Sequence, residues 1–357
     1  MRAWQAILIA LVLALGLGVY LFREPIALHL AERELDQALT LEPRSGLPDG
    51  LAAGVCGSGS PMPSPERAGP CIVVQAGDHL FLVDAGDGAV RNLARMRFPV
   101  ARLEGIFLTH FHSDHFDGLG AVLLQRWGTS GAASPLPVYG PRGVEQVVQG
   151  LNLAYAQDRD YRVAHHGAAV MPPTGQGGDP HPFDANPDGS LTPVLQTDGL
   201  SVYMFQEYHD PAKPAVGYVF DYKGRRLVIS GDTRPNLNLY NASKGADLLV
   251  CEALSPVLVG LQHDAALRAG RPNLAHIFRD IVAYHTTPEQ AADIASRAQV
   301  RRLVLVHIIP PVSAGPLEGV FLGRARNIYR GPLQIGRDGD VIFLPAHSNR
   351  EAAFRRF

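Results

Sequence analysis

One six-residue segment, His-Phe-His-Ser-Asp-His at positions 110–115, constrains this chain more than any other feature. Its three imidazoles and one carboxylate come directly after an apolar run that predicts a strand. A tight loop at a strand end can turn alternate side chains inward, so His110 and His112 can face one cation while Asp114 and His115 face a second. A single histidine in a loop is commonplace, but this density and spacing predict a metal site.

Further candidate ligands stand just past other apolar runs, where a sheet presents side chains to a shared cleft: His209, Asp232 and His307. Each alone could belong to the core or to the surface, but with the 110–115 segment they complete two coordination shells. A carboxylate such as Asp232 can bridge two cations about 4 Å apart. Imidazole and carboxylate ligands favour zinc and also accept manganese or iron. The sequence therefore predicts two metal ions per chain, most simply zinc.

The N-terminal segment carries no charged side chain from Trp4 to Phe22, which is about the length of a membrane-spanning helix. A cleaved signal peptide is the alternative, because residues 14–16, Ala-Leu-Gly, could serve as its cleavage site. The apolar run continues past that site, which favours an uncleaved anchor over residues 1–23. Arg2 precedes the apolar run, so the charge bias places the N-terminus inside and the rest of the chain outside.

The rest of the chain mixes predicted strands and helices in an α/β pattern without internal repeats. Residues 24–50 predict an amphipathic connector, and residues 51–357 predict one folded domain. Within that domain, Lys223-Gly224 predicts a hairpin turn, and the segment 287–290, Thr-Pro-Glu-Gln, predicts a helix start with a capping box. Residues 167–197 hold six prolines and show little periodicity, so we expect a long loop or lid there.

Charge and cysteine content limit the classes of function. The formal net charge is -2, only 18% of residues are charged, and no long basic run occurs. A strong nucleic-acid footprint is therefore not expected. The three cysteines form no C-x-x-C pair, which argues against a thiolate zinc site. A disulfide between Cys56 and Cys71 would need an oxidising compartment, and the sequence leaves that pairing open.

The motifs resemble those of the metallo-β-lactamase fold superfamily, whose hallmark is H-x-H-x-D-H. The likeness is greatest to the tRNase Z and arylsulfatase-like branch, whose features follow one another between residues 51 and 345. They are the segments 57–61 (Gly-Ser-Gly-Ser-Pro), 82–86 (Leu-Val-Asp-Ala-Gly), 110–115, 231–235 (Gly-Asp-Thr-Arg-Pro) and 285–287 (His-Thr-Thr), followed by His307.

This resemblance implies a four-layer αββα sandwich with the metals at one edge of its two sheets. It implies a bridging carboxylate and three further ligands for each metal: Asp232 as the bridge, His110, His112 and His209 on the first metal, and Asp114, His115 and His307 on the second. It also implies that Asp114 orients the attacking hydroxide and that His285 donates a proton to the leaving group. Asp84 matches a position that steadies the ligand loop.

Departures from the branch bear on the substrate. A tRNA-clamping arm is expected between the third histidine and the bridging aspartate, but only 22 residues separate His209 from Asp232, enough for one hairpin. The segment 167–197 contains no Lys or Arg to contact phosphates. We therefore expect a small-molecule ester substrate rather than nucleic acid. Arg162 and the pair His165-His166 either line the pocket or belong to a surface loop.

Together, the residues and the resemblance predict a binuclear zinc hydrolase that cleaves phosphodiesters or sulfate esters with a metal-activated hydroxide. The alternatives are a tRNA 3′-end endonuclease, a hydrolase of carboxylic esters or lactones, and a non-catalytic metal-binding envelope protein. The expected location is the inner membrane, with a single span and a periplasmic catalytic domain; release into the periplasm after signal cleavage is the alternative. A homodimer is compatible with the sequence.

Overall fold

A computed structural model describes residues 3–40, 47–313, 315–348 and 353–356. The chain divides into two compact units, Met1–Arg44 and Ser45–Phe357. Over its described residues, 3–40, the first unit contains two helices, α1 (Ala3–Leu21) and α2 (Arg23–Thr40). Helix α1 is long and apolar enough to cross a membrane, with a mean hydropathy of 2.2, and a signal sequence would meet the same criterion. The predicted connector at 24–50 therefore starts as a helix, and part of it lies outside the described residues.

The second unit contains two sheets, each built from strands that are distant in sequence. The eight-stranded first sheet has the order β15-β14-β1-β2-β3-β4-β5-β6 and the seven-stranded second sheet the order β13-β12-β11-β10-β9-β8-β7. The strands of the first sheet are β1 (Gly50–Gly57), β2 (Cys71–Ala76), β3 (His79–Val83), β4 (Gly105–Phe107), β5 (Leu136–Pro141), β6 (Gly178–Phe183), β14 (Asp340–Pro345) and β15 (Ala353–Arg356). Those of the second sheet are β7 (Thr192–Thr197), β8 (Leu200–His209), β9 (Ala212–Tyr222), β10 (Arg225–Ile229), β11 (Leu248–Leu254), β12 (Leu303–Ile309) and β13 (Leu333–Ile335).

Helices cover the outer faces of both sheets. Those packed on the first sheet are α3 (Ala89–Arg95), α4 (Leu119–Ser130) and α5 (Val144–Ala154), with α6 (Ala156–His166) following. The second sheet is covered by α7 (Leu237–Ala242), α8 (Pro256–Arg268), α10 (Pro288–Arg297), α11 (Pro316–Leu322) and α12 (Ala325–Ile328), with α9 (Pro272–Asp280) beside α8. The predicted four-layer αββα sandwich is confirmed.

The inner faces of the two sheets meet in an aromatic core. Phe107 of the first sheet lies at the centre, with its ring centroid 4.9 to 5.6 Å from those of Phe81, Tyr139, Tyr218 and Phe220. Each such side chain, fully buried, contributes roughly 1.5–3 kcal/mol from the hydrophobic effect alone. This packing fixes β4 against the second sheet, and β4 leads directly into residues 110–115, the histidine segment.

Parallel strands bring their carboxyl ends to one edge of the sandwich. Strands β3 to β6 pair in parallel in the first sheet, and β10 to β13 pair in parallel in the second. The histidine segment follows β4, His209 is the last residue of β8, Asp232 follows β10, and His307 lies in the last part of β12. Ligands that are far apart in sequence are thus assembled by rigid strands at one shared edge.

The prediction of a long loop at 167–197 is wrong. The segment contains β6, paired in parallel with β5, and β7, paired antiparallel with β8. Both are edge strands, which need hydrogen bonds on one side only and therefore tolerate proline. Pro180 and Pro182 are two residues apart in β6, so both missing N–H groups can face away from β5. The prolines that suggested a loop instead protect the sheet edges from pairing with other chains.

Two local predictions are confirmed. Lys223 and Gly224 connect β9 to β10 with φ values of 44° and 81°, and Tyr222 pairs with Arg225, as in a type I′ hairpin. Thr287 caps α10, and its side chain and that of Gln290 form both hydrogen bonds of a capping box. This cap fixes the start of α10 directly after the segment that carries His285.

Candidate metal centre

The histidine segment leaves β4 and closes in a short 3-10 turn, Ser113–His115. Asp84, at the end of β3, anchors it: its carboxylate accepts hydrogen bonds from the backbone N–H and the hydroxyl of Thr109, each at 2.8 Å. The same carboxylate lies 2.7 Å from Nδ1 of His115. Because Nδ1 is held there, Nε2 of His115 is left to face the centre of the site. Asp84 has a φ of 58°, a conformation that a residue adopts only when its surroundings impose it.

A first group of donor atoms comes from His110, His112, His209 and Asp232, which converge within 4.8 Å of one another. Nδ1 of His112 lies 3.0 Å from Nε2 of His110 and 3.2 Å from Nε2 of His209. Oδ2 of Asp232 lies 3.9 Å and 3.7 Å from the same two Nε2 atoms. Ligand atoms placed tetrahedrally at roughly 2.0–2.1 Å from a zinc ion would be roughly 3.3 Å apart, which lies within the observed range of 3.0 to 3.9 Å.

A second group comes from Asp114, His115 and His307. Oδ2 of Asp114 lies 3.3 Å from Nε2 of His307 and 3.6 Å from Nε2 of His115. Asp232 borders this group too, with Oδ1 3.5 Å from Nε2 of His115 and Oδ2 3.3 Å from Nε2 of His307. A single carboxylate therefore lies between both groups, in the place that a bridging ligand requires.

His307 reaches the site through a bulge in β12. The apolar run 303–306 predicts a strand that ends at His307, whereas β12 continues to Ile309. Glu252 pairs with Val306 and Ala253 pairs with Ile308, so His307 has no partner across the strand. Its φ of 47° turns the side chain out of the regular alternation. A bulge at an active-site edge redirects one side chain while the strand around it stays rigid.

The turn that carries Asp232 is clamped by two buried carboxylates that the sequence analysis did not assign to the site. The hydroxyl of Thr233 donates to Glu207 at 2.8 Å, and the backbone N–H of Thr233 donates to Glu252 at 3.0 Å. Asn236 also donates to Glu207, joining the start of α7 to the same network. For Glu252 the signal in the sequence was a carboxylate inside an otherwise apolar strand, which does not identify its partner; Glu207 lies in a strand with other polar residues and carried no such signal.

Electrostatics favour cations in this cavity. Burial lowers the pKa of His209 to about 4, so its imidazole is neutral and able to act as a ligand. Burial alone would raise the pKa of Asp232, but the imidazoles, first His307, outweigh it and hold that pKa well below its ordinary value. Burial alone would lower the pKa of His115, but Asp232 and then Asp84 raise it well above the ordinary value. The carboxylates thus attract positive charge to Nε2 of His115, where a metal ion would replace the proton.

Unpartnered donor atoms give a second test of the fit to metal ions. Among the described residues, Nε2 of His115 and Oδ1 of Asp232 are buried without a hydrogen-bond partner. Buried polar atoms without partners are costly and rare in proteins. The two atoms lie 3.5 Å apart, and nitrogen with oxygen is the donor set that zinc accepts. The residues therefore fit divalent metal ions.

His285 stands beside this centre, 7% exposed, with its ring 5.0 Å from that of His209 and 5.6 Å from that of His307. Its Nδ1 lies 3.1 Å from Oε1 of Glu252, which also accepts the backbone N–H of Thr286 at 3.0 Å. Burial lowers the pKa of His285. Because Nδ1 is held by the carboxylate, the imidazole has a fixed orientation and one nitrogen left for the cleft.

Other candidate residues lie elsewhere in the fold. Arg162 pairs with Asp158 along α6, and His165 and His166 are exposed at the end of that helix. Cys56 and Cys71 form a disulfide that joins β1 to β2.

A metal-binding edge on an αββα sandwich defines the class of this protein as a hydrolase of metallo-β-lactamase fold. Residues 79–308 match the family described as the beta-lactamase superfamily domain. The chain belongs to this superfamily and, within it, to the ribonuclease Z branch.

Similar proteins place the chain in that branch over almost their full lengths. Over 284 residues it is 34% identical to the ribonuclease Z of Mycobacterium bovis (strain BCG / Pasteur 1173P2), covering 79% of this chain and 94% of that protein. Over 294 residues it is 35% identical to the ribonuclease Z of Mycobacterium avium (strain 104), covering 82% and 98%.

Solved structures share the fold. The metallo-beta-lactamase fold protein YhfI from Bacillus subtilis has a TM-score of 0.60 at 19% identity, covering 83% of this chain and all of that one. The short form of human tRNase Z has a TM-score of 0.56 at 23% identity, covering 82% and 99%.

The expectation that nucleic acid is not a partner is wrong. The relatives that this chain matches over 94% or more of their length are named ribonucleases. The modest net charge and the short segment between His209 and Asp232 thus did not exclude a place in this branch. Net charge failed as a criterion because binding depends on where charges lie at the site, and the whole-chain sum does not record that. The sulfate-ester part of the prediction finds no support in these relatives.

Proposed function

We propose that this protein is a binuclear zinc phosphodiesterase of ribonuclease Z type, which cleaves an RNA precursor such as the 3′ end of a tRNA. One observation carries the proposal: seven donor side chains converge in two groups around Asp232, in a chain 34% identical to a ribonuclease Z. The donor chemistry supports zinc, with manganese or iron as further candidates. When bound, two such ions supply an electrophile for the phosphate oxygens and a neighbouring water of lowered pKa.

His110, His112 and His209 would hold the first ion and Asp114, His115 and His307 the second, with Asp232 shared between them. Asp114 is a ligand whose carboxylate would also accept a hydrogen bond from the attacking water and so orient it toward phosphorus. These side chains have little freedom, because packed strands and hydrogen bonds fix their positions. Preorganised groups act without the cost of reorganisation during the reaction.

His285 would act as the general acid. Its Nδ1 contacts Glu252, which fixes the ring and leaves Nε2 for the substrate. Because burial lowers the pKa of His285, the resting ring is neutral, and donation to the leaving oxygen of the ribose would use the imidazolium form, protonated at Nε2. The same oxygen of Glu252 accepts hydrogen bonds from the backbone N–H groups of Thr286 and Thr233. These bonds connect His285 to the turn that carries Asp232. The acid and the metal ligands are therefore held in one hydrogen-bonded frame.

The test is a comparison of substrates on the zinc-loaded protein. A tRNA precursor with a 3′ trailer and bis(p-nitrophenyl) phosphate should both be cleaved. The matching monophosphate, sulfate and carboxylate esters should be cleaved far more slowly. Hydrolysis of the sulfate or carboxylate ester without cleavage of either phosphodiester would overturn the proposal.

We further propose that α1 anchors the chain in the inner membrane and that the catalytic unit is periplasmic. The length and apolarity of α1 support this location. So does the disulfide between Cys56 and Cys71, because such bonds persist in oxidising compartments. Cleavage of the apolar segment as a signal would leave the same unit free in the periplasm. A periplasmic catalytic unit would be separated from tRNA precursors, which are made in the cytosol, so this location and a tRNA substrate exclude each other. In the periplasm the substrate would be another RNA, and the topology measurement decides between the two.

A further inference from the structure

A groove of about 650 Å³ opens beside the metal centre. The ends of β5 and β6 line one side, and the turn between β8 and β9 lines the other. Tyr208 and Asp210, which flank the ligand His209, both line it, as does Arg234, two residues after Asp232. Residues that line the groove are thus within two positions of two candidate metal ligands in the sequence. Its position is where the resemblance implies a tRNA-clamping arm, which this chain replaces by a short turn.

Three cations stand on the rim of this groove. Arg142 makes a bidentate pair with Asp184 on the side of β5 and β6. On the opposite side, Lys213 pairs with Asp210, and a guanidinium nitrogen of Arg234 lies 3.7 Å from the same carboxylate. All three cationic side chains are more than half exposed. Exposed ion pairs contribute little stability, so each cation can turn toward a phosphate at low cost, with Asp184, Asp210 and Glu207 remaining in the same lining.

Aromatic rings supply a second kind of contact. The guanidinium carbon of Arg234 lies 5.8 Å from the ring centroid of Tyr208. Phe183 lines the groove on the other side and is half-buried. Sequence-independent binding of single-stranded nucleic acid uses this combination, with bases stacked on aromatic or guanidinium planes beside cations that contact the backbone. The volume is typical of a pocket for a compact ligand, which corresponds to a nucleotide or two rather than a duplex.

We propose that this groove binds the single-stranded part of the RNA substrate next to the scissile phosphodiester. Lys213 and Arg142 contact backbone phosphates, and the Tyr208–Arg234 pair stacks a base. The inference rests on the proposed function for its substrate class and adds the surface that recognises it. The short turn between β8 and β9 leaves this surface open, so an arm is not needed for RNA to reach the metal centre.

The experiment measures binding of a fluorescein-labelled single-stranded RNA octamer to the zinc-loaded full chain in detergent, by anisotropy, with His285→Ala as background to suppress cleavage. Lys213→Ala and Arg142→Ala should each lower the slope of log affinity against log salt by about 0.7. That slope change corresponds to about fivefold weaker binding at 0.1 M salt. Matched controls are Lys244→Ala and Arg330→Ala, exposed cations outside the groove, which should keep the original slope.

A third variant tests stacking. Tyr208→Leu should weaken binding by roughly 5- to 150-fold without changing the salt slope, because stacking involves no counterion release. Zinc content and melting temperature, measured for every variant, separate loss of contact from loss of fold. Slopes for Lys213→Ala and Arg142→Ala equal to those of the controls would overturn the groove as the RNA site.

Failure of the groove as the RNA site can be distinguished from failure of the proposed phosphodiesterase function. RNA cleavage by the wild type, together with groove variants that bind like the controls, would refute only the groove. Groove-dependent RNA binding without cleavage of any phosphodiester would refute only the phosphodiesterase. Equal weakening of a DNA octamer and an RNA octamer would support backbone contacts, since these do not involve the 2′-hydroxyl.

Discussion

Replacing His285 by alanine should remove a proton donor and leave the metal centre intact. The ring is buried, but Glu252 keeps two backbone N–H donors, those of Thr233 and Thr286, when the imidazole is lost. The carboxylate therefore remains partnered. We expect a stability cost of about 1–3 kcal/mol, typical of one buried hydrogen bond, and no unfolding.

The effect on rate should depend on the leaving group. General acid catalysis is typically worth roughly a hundred- to ten-thousand-fold, which is about 2.7–5.5 kcal/mol of transition-state stabilisation. A ribose hydroxyl leaves poorly without a proton, so RNA cleavage should lose this full factor in kcat rather than in KM. A p-nitrophenolate leaves readily, so the same variant should hydrolyse bis(p-nitrophenyl) phosphate at a rate much nearer to that of the wild type.

Elemental analysis and the two rate measurements together check this reasoning. His285 also lies close to Asp232 and His307 in a group that could itself hold a metal ion. Loss of a metal from His285→Ala would mean that the imidazole is a ligand. Equal losses for the two leaving groups, with metal content unchanged, would mean that it positions substrate or water and donates no proton.

Further predictions concern the metals, the ligand loop, pH and topology. Asp232→Ala should lose at least one metal and nearly all activity, and a fully active wild type with one metal or none by elemental analysis would contradict the binuclear site. Asp84→Asn should weaken zinc affinity about 10- to 100-fold in a chelator competition, because His115 loses its carboxylate partner; unchanged affinity would refute that role. The pKa of His209 is lowered to about 4 in the folded protein, so protonation of this imidazole at low pH favours the unfolded state. The free energy of unfolding of the metal-free protein, measured by urea denaturation, should therefore fall by up to about 3 kcal/mol between about pH 6.5 and about pH 4. In His209→Ala the same free energy should depend less on pH. In intact spheroplasts external protease should digest residues 51–357, and protection would place the catalytic unit on the cytoplasmic side.

The sandwich was predicted through the resemblance to a known superfamily, whereas the candidate ligands could be selected from local patterns. Apolar runs that each end in a histidine or an aspartate predict a sheet edge with ligands, and the structure brings all seven predicted ligands to that edge. The hairpin at Lys223-Gly224 and the capping box at Thr287 were equally local. A turn or a cap is encoded by two to four adjacent residues, so no tertiary information is needed.

Features that depend on distant partners could not be predicted in this way. Prolines at 180 and 182 indicate a loop unless the strand is known to lie at an edge, and that position is set by the order of the whole sheet. The bulge at His307 exists only in relation to Glu252 and Ala253 on the neighbouring strand. The role of Glu207 and Glu252 as hydrogen-bond acceptors for Thr233 becomes visible only when the fold places Thr233 between them.

The placement of donors on both sheets links metal supply to the lifetime of the protein. The segment after β4 comes from the first sheet, and His209, Asp232 and His307 come from the second. Bound ions would therefore crosslink the two sheets. A ligand that binds only the native state at a thousand times its Kd adds about 4 kcal/mol to the free energy of unfolding. Cells short of the bound metal would therefore hold a less stable form that proteases remove sooner, and the amount of this hydrolase would follow the supply of that metal without any dedicated regulator.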